Sequence, residues 1–151
     1  MGVFDSINVS GSALTAQRLR MDVVSSNLAN AETTRARMNE NGEWEPYRRK
    51  MVVFQPKGEP FQNIFQKAIN KSSTPGEGVR VTNITEDQSP FKLVYHPDHP
   101  DADPNGYVRM PNVDPLREMV DLMSATRSYE ANVTSLNASK SMLLKALEIG
   151  K

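Results

Sequence analysis

The end of this chain constrains its fold more than any other part. From Pro115 to Ile149 there is no further proline or glycine, and a helix over that span would be about 50 Å long at roughly 1.5 Å per residue. A compact chain of 151 residues has a radius of gyration of about 15 Å, hence a diameter of about 40 Å. The helix therefore projects beyond any globule the chain can form alone. Along it Leu122, Thr126, Tyr129, Val133, Leu136, Lys140, Leu143 and Leu147 alternate spacings of four and three, with Thr126 and Lys140 the non-hydrophobic members. Asp114 reads as its N-cap and Pro115 as its first residue, and Glu118 and Asp121 lie near the positive helix end.

A second helix is predicted at the other end, from about Asp5 to Ala31. Ile7, Leu14, Met21 and Leu28 recur every seven residues. The companion row, Ser10, Gln17, Val24 and Ala31, starts polar and turns apolar. Gly11 costs such a helix about 1 kcal/mol relative to alanine, so alone it is marginal and needs a partner. Between the helices the character changes. Tyr47–Phe54, Val79–Thr85 and Phe91–Tyr95 read as strands, separated by proline- and glycine-bearing turns. Phe61, Ile64, Phe65, Ala68 and Ile69 fit a short amphipathic helix, and Thr33–Glu43 and Asn70–Glu77 read as polar loops. The expected class is α+β, with a small β-rich insert between two terminal helices.

Composition removes several functions. Eighteen basic residues balance eighteen acidic ones, which leaves no global positive field to hold nucleic acid or anionic lipid. Without cysteine there are no disulfides and no thiolate ligands or nucleophiles. No apolar stretch reaches membrane-spanning length, and the N-terminus lacks the basic start and apolar run of a secretory signal. Met1–Ser6 fits the letters of a myristoylation pattern and Asn83 and Asn132 begin glycosylation triplets, but such short matches decide nothing.

The loop before the last helix invites a metal reading. Asp101-x-Asp103-x-Asn105-Gly106 matches the opening of a calcium-binding EF-hand loop. Its twelfth position is Asn112 rather than glutamate, Pro104 interrupts it, and Pro97 and Pro100 forbid the entering helix. His96, Asp98 and His99 could offer an imidazole–carboxylate set, yet the prolines among them favour a rigid, solvated turn. No serine elbow, His-Glu-x-x-His helix or phosphate-binding glycine pattern is present. The expectation is a non-enzymatic protein with no catalytic residues, metal, cofactor or small-molecule substrate. Arg48-Arg49-Lys50 reads as a solvated strand edge or an interface contact.

Several phrases together resemble one family. Ser26-Asn-Leu-Ala-Asn-Ala-Glu-Thr-Thr34, Tyr47-Arg-Arg-Lys50, His99-Pro-Asp-Ala-Asp103, Gly106-Tyr-Val108, Pro111-Asn-Val113 and Glu118 through Val133 are similar to bacterial flagellar basal-body rod proteins of the proximal-rod type. The chain departs from that pattern at the Asp114-Pro115 junction and at His96. The resemblance implies that the terminal helices pack as an antiparallel coiled-coil-like pair. Residues 1–36 and 112–151 would then form one discontinuous helical domain, with 37–111 as the insert. It implies Ile7, Leu14, Met21, Val24 and Leu28 meeting Leu122, Tyr129, Val133, Leu136, Leu143 and Leu147. Asn27, Asn30, Tyr95, His99, Asp101, Tyr107 and Asn112 would set the joints. The implied function is a structural subunit of the basal-body rod in the periplasm, transmitting motor torque. Its implied partners are other rod proteins, copies of itself and the flagellar type III apparatus that exports it without a cleaved signal. Rival readings are another rod subunit type, a soluble coiled-coil adaptor, and a metal-binding module centred on His96–Asp103.

Overall fold

The computed structural model describes residues 3–40, 42–57, 65 and 78–149. Among them two helices bracket six short strands: α1 (Val3–Ala29), β1 (Arg37–Met38), β2 (Trp44–Glu45), β3 (Lys50–Pro56), β4 (Val79–Glu86), β5 (Lys92–Tyr95), β6 (Tyr107–Met110) and α2 (Pro115–Ile149). The architecture is α+β. The strands pair two by two, β1 with β2, β3 with β4 and β5 with β6, and among the described residues they join into no larger sheet. The short helix expected around Phe61–Ile69 lies outside the described residues apart from Phe65.

Three strands, β1, β2 and β6, escape the sequence pattern. The Thr33–Glu43 stretch, expected as a polar loop, contributes β1 to a hairpin in which Arg37 faces Glu45 and Met38 faces Trp44. Strands of two residues are too short to show a period, and this hairpin is held by its turn: Asn39 N–H donates to Glu43 O at 2.8 Å and Gly42 N–H to Asn39 O at 2.9 Å. Gly42 takes a left-handed φ of 80° to close it. β6 is the other addition. It pairs antiparallel with β5 from Lys92↔Met110 to Tyr95↔Tyr107 and buries Val108 to 1% exposure.

At the start of α2 the local chemistry is as the residues predict. Asp114 Oδ1 accepts the Leu116 N–H at 3.1 Å and Asp114 O accepts Glu118 N–H at 3.0 Å, while Pro115 has no N–H to leave unpaired.

The chain divides into two compact units. The first gathers the described parts of Met1–Leu19, Val53–Asn83 and Ala125–Lys151. Its buried positions are small or polar: Ser10, Ala16, Ala125 and Ser139. Ser6 and Ser139 hydroxyls meet at 3.4 Å, linking α1 to α2. Ser12 Oγ donates to Val9 O at 2.7 Å and accepts the Val79 N–H at 3.1 Å, which fastens the start of β4 to α1. Gly78, with φ of 108°, comes so close that a Cβ there would collide with the Ser12 hydroxyl. The second unit gathers the described parts of Arg20–Val52 and Ile84–Ser124. It buries Val23, Val24, Asn27, Tyr47, Val108, Pro111, Val113 and Glu118.

Candidate functional site: a polar joint in the second unit

Asn27 and Glu118 are both 0% exposed, so every polar atom they carry needs a protein partner. Asn27 has four hydrogen bonds. Its Nδ2 donates to Lys50 O and to Glu118 Oε2, both at 2.9 Å. Its Oδ1 accepts the Lys50 N–H at 2.9 Å and the Tyr47 hydroxyl at 3.0 Å. The side-chain amide thus pairs with both backbone groups of Lys50, as a neighbouring strand residue would. Because Lys50 presents one donor and one acceptor, the amide orientation is fixed by its partners. A helix side chain here grips the first residue of a strand.

Arg49 lies beside this pair and carries the charge balance. Its Nε donates to Glu118 Oε1 at 2.6 Å, and Nη2 reaches Asp121 Oδ2 at 3.4 Å. Nη1 stands 3.9 Å from Asp87 Oδ2. Asp121 in turn accepts from Arg20 Nη2 at 3.2 Å, a direct link between α1 and α2. Glu118 therefore has one oxygen on a guanidinium and the other on an amide, the condition under which a buried carboxylate is tolerated. The expected solvated edge at Arg48-Arg49-Lys50 applies poorly to Arg49, whose side chain is only 16% exposed.

Asn112 holds the same strand entry from the other chain direction. Its Oδ1 accepts the Arg49 N–H at 2.8 Å, while Nδ2 donates to Asp87 O at 3.1 Å and Ser89 O at 3.3 Å. Asp87 is itself held below the usual carboxylate range, chiefly by the Ser89 hydroxyl and backbone N–H that donate to it. Asn30 works locally. Its Nδ2 caps Ser26 O at 2.9 Å at the end of α1, and its Oδ1 accepts the Thr33 hydroxyl at 3.2 Å. Further on, Asp101 accepts the Thr34 hydroxyl at 2.8 Å and Arg35 Nε at 2.7 Å. These two bonds, Arg35's first, hold its carboxyl below its ordinary pKa. His99 Nδ1 accepts the Asp101 N–H at 3.1 Å. Tyr95 and Tyr107 pair edge to face at 5.4 Å, and a Cβ at Gly106 would lie 2.9 Å from the Tyr95 ring.

Comparison with known proteins gives the chain its family. The family described as "Flagella basal body rod protein" matches residues 7–37, and the one described as "Flagellar basal body rod FlgEFG protein C-terminal" matches residues 105–149. Over 151 residues the chain is 66% identical to the flagellar basal-body rod protein FlgC of Bacillus subtilis (strain 168), covering 100% of both chains. The FlgC protein of Borreliella burgdorferi is 46% identical over 160 residues, 99% of this chain and 98% of the relative. That of Salmonella typhimurium is 45% identical across 100% of both. The chain belongs to the FlgC family of flagellar basal-body rod proteins.

In family terms, the joint brings the two matched segments together. Arg20 and Asn27 come from the N-terminal match, and Asn112, Glu118 and Asp121 from the C-terminal one. Tyr47, Arg49 and Lys50 lie between the matches and tie the insert to both. Of the residues expected at joints, Asn27, Asn30, Asp101 and Asn112 bond across loops or elements, and His99 bonds within its own loop. Tyr95 and Tyr107 instead face outward, 65% and 45% exposed.

The helix residues expected at the interface are spread in burial. Val24 is buried and Leu147 is 70% exposed. Ile7, Leu14, Met21, Leu28, Leu122, Tyr129, Val133, Leu136 and Leu143 are half-buried. The deepest positions of α2 form a neighbouring stripe in which Glu118, Ala125 and Ser139 recur at multiples of seven. Sequence reasoning passed over Arg49, Glu118 and Asp121 as structural residues. The available signal was spacing: Glu118 lies four residues before Leu122, on the same helix face. Among the described residues no group of three or more His, Asp or Glu could hold a metal ion, and no helix is long and apolar enough to cross a membrane.

Proposed function

We propose that this chain is a structural subunit of the proximal rod of the flagellar basal body. It polymerises with other axial proteins and with copies of itself into the shaft that carries motor torque across the periplasm, and it catalyses no reaction. Beyond family membership, the observation that carries this reading is the apolar surface left on α2. In the second unit Leu116, Val120 and Met123 are 76%, 60% and 54% exposed, at i, i+4 and i+7 on one helix face. In the first unit Met142, Leu144, Leu147 and Ile149 are all more than half exposed. An isolated monomer gains nothing from such surfaces, whereas neighbours in a tube of helices would cover them.

In this scheme residues 1–36 and 112–151 act as one discontinuous helical domain, paired antiparallel like a coiled coil. The Ser6–Ser139 contact in the first unit, and the Arg20–Asp121 and Asn27–Glu118 contacts in the second, support that sense. Delivery runs through the flagellar type III apparatus. The test is Leu136→Asp, which places a charge on a half-buried helix position. The variant is expected to accumulate to wild-type levels yet leave cells non-motile, with no rod assembled. Normal swimming would refute the packing scheme.

A further inference from the structure

The β1–β2 hairpin has two different faces. On one, Arg37 Nη2 and Glu45 Oε2 are paired at 3.2 Å across the strands. On the other, Met38 and Trp44 stand opposite each other and are each 52% exposed. Exposed Glu40 and Glu43 flank this apolar pair in the turn, and neither has an ion pair among the described residues. The hairpin is a small apolar knob with a negative rim.

The first unit holds a groove of opposite charge. This groove, of about 390 Å³, runs between α1 and the start of β4, lined by the apolar Ala16, Leu19, Val79 and Val81 and by the hydroxyls of Ser12 and Thr15. Lys57 and Arg80 complete its lining, both exposed and both without an ion-pair partner among the described residues. The groove joins an apolar patch to two positive charges.

We propose that the Met38–Trp44 knob of one copy of this chain seats in the Ala16–Val81 groove of a second copy, with Glu40 and Glu43 against Lys57 and Arg80. The inference rests on the reading of the chain as a self-assembling axial subunit, and names one contact by which it assembles. The occupant is a copy of this chain because the two surfaces match in both character and charge sign and each lies on a separate unit of the same chain. Knob and groove are different patches, so they can be used head to tail. Repeated in that sense, the contact generates a ring or an open helix, as a shaft requires. The chain's balanced charge is consistent with opposite signs placed on two docking patches.

The single tryptophan of the chain makes the contact directly visible. Full-length protein is followed by sedimentation and by Trp44 emission as concentration rises. Wild-type chain is expected to self-associate with a blue shift, as Trp44 leaves water. Glu40→Lys with Glu43→Lys should weaken association by at least about tenfold, as should Lys57→Glu with Arg80→Glu. Mixing the two double variants restores opposite signs at every contact, and association should return. The proposal is overturned if wild-type chain stays monomeric, if assemblies form with Trp44 still in water, or if the mixture fails while each variant keeps wild-type hydrogen exchange. It is equally overturned if Trp44 is buried only on adding a different rod protein. Assemblies with a wet Trp44 would leave the axial reading standing, whereas motility of the Leu136→Asp variant would remove that reading.

Discussion

The two units of this chain are held in contrasting ways. In the second, polar groups are matched nearly to saturation: Asn27 has four hydrogen bonds, Asn112 three, and Glu118 a partner on each oxygen. In the first, α1 and α2 share a 3.4 Å serine contact, Gln17 Oε1 is buried with no partner among the described residues, and the last turns of α2 leave leucines and Ile149 exposed. A satisfied buried network specifies one arrangement without outside help. A thinly bonded, apolar-surfaced unit is finished by whatever packs on it. The contrast is one of internal bonding: the second unit fixes the joint between helices and strands with matched polar groups, the first is thinly bonded, and both leave apolar surface for neighbours.

The sharpest way to break that contrast is to unbalance the joint. Arg49→Met removes the cation beside Glu118, which is 0% exposed and cannot turn to water. Stranding a buried charge costs about 3–5 kcal/mol. Trp44 belongs to the second unit and is the only tryptophan, so its fluorescence in urea reads this unit's midpoint. Adding Glu118→Gln should recover part of the loss, since the stranded charge is gone. A loss below about 1 kcal/mol would put Arg49 on the scale of a surface pair and dissolve the distinction between the units.

The first unit should respond to helix propensity instead. Gly11 lies within α1, and an added Cβ meets nothing within 4 Å. Gly11→Ala should therefore stabilise α1 by up to about 1 kcal/mol. Amide exchange over the first half of α1 is the measurement, with a slowing of up to about fivefold expected. Unchanged exchange would mean that tertiary contacts, not local helix stability, govern that half, and the first unit would then resemble the second.

Much of this was legible in the sequence for a physical reason. Helix period, the Asp114-Pro115 start and the runs of β3, β4 and β5 between proline- and glycine-bearing turns are local properties that show within a window of ten or so residues. The joint is different in kind. Asn27 meets Lys50 and Glu118, and Arg49 meets Glu118 and Asp121, across separations that no window spans. The Asn27–Asn30 phrase marked a helix end, and Asn30 caps it, but nothing local distinguishes Asn27 as the residue that reaches to a distant strand. β1 and β2 were missed because two-residue strands carry no period, and Glu118 was read only as a favourable charge in the first turn of its helix. Its burial is set by what lies opposite.

The smallest expected effect lies at the edge of the second unit, where Asp101 ties the end of the α1 turn to the loop before β6. Its carboxyl is lowered by the Arg35 and Thr34 bonds, so the folded state binds its proton less readily than the unfolded chain. The stabilisation is then present above the ordinary aspartate range and is lost as pH falls through the lowered folded value. Arg35 is about half exposed, with a side-chain accessibility of 51%, so salt screens the pair and keeps the effect small. Asp101→Asn should lower the Trp44 urea midpoint slightly at neutral pH, and the gap from wild type should close as acid protonates Asp101. His99 still accepts the backbone N–H of residue 101 in the variant, so the loop keeps its turn while losing its tether. If the gap instead persists unchanged to the lowest pH, the charge of Asp101 is irrelevant. The tether would then be a matter of shape, and the polar logic of the second unit would stop at the joint around Asn27.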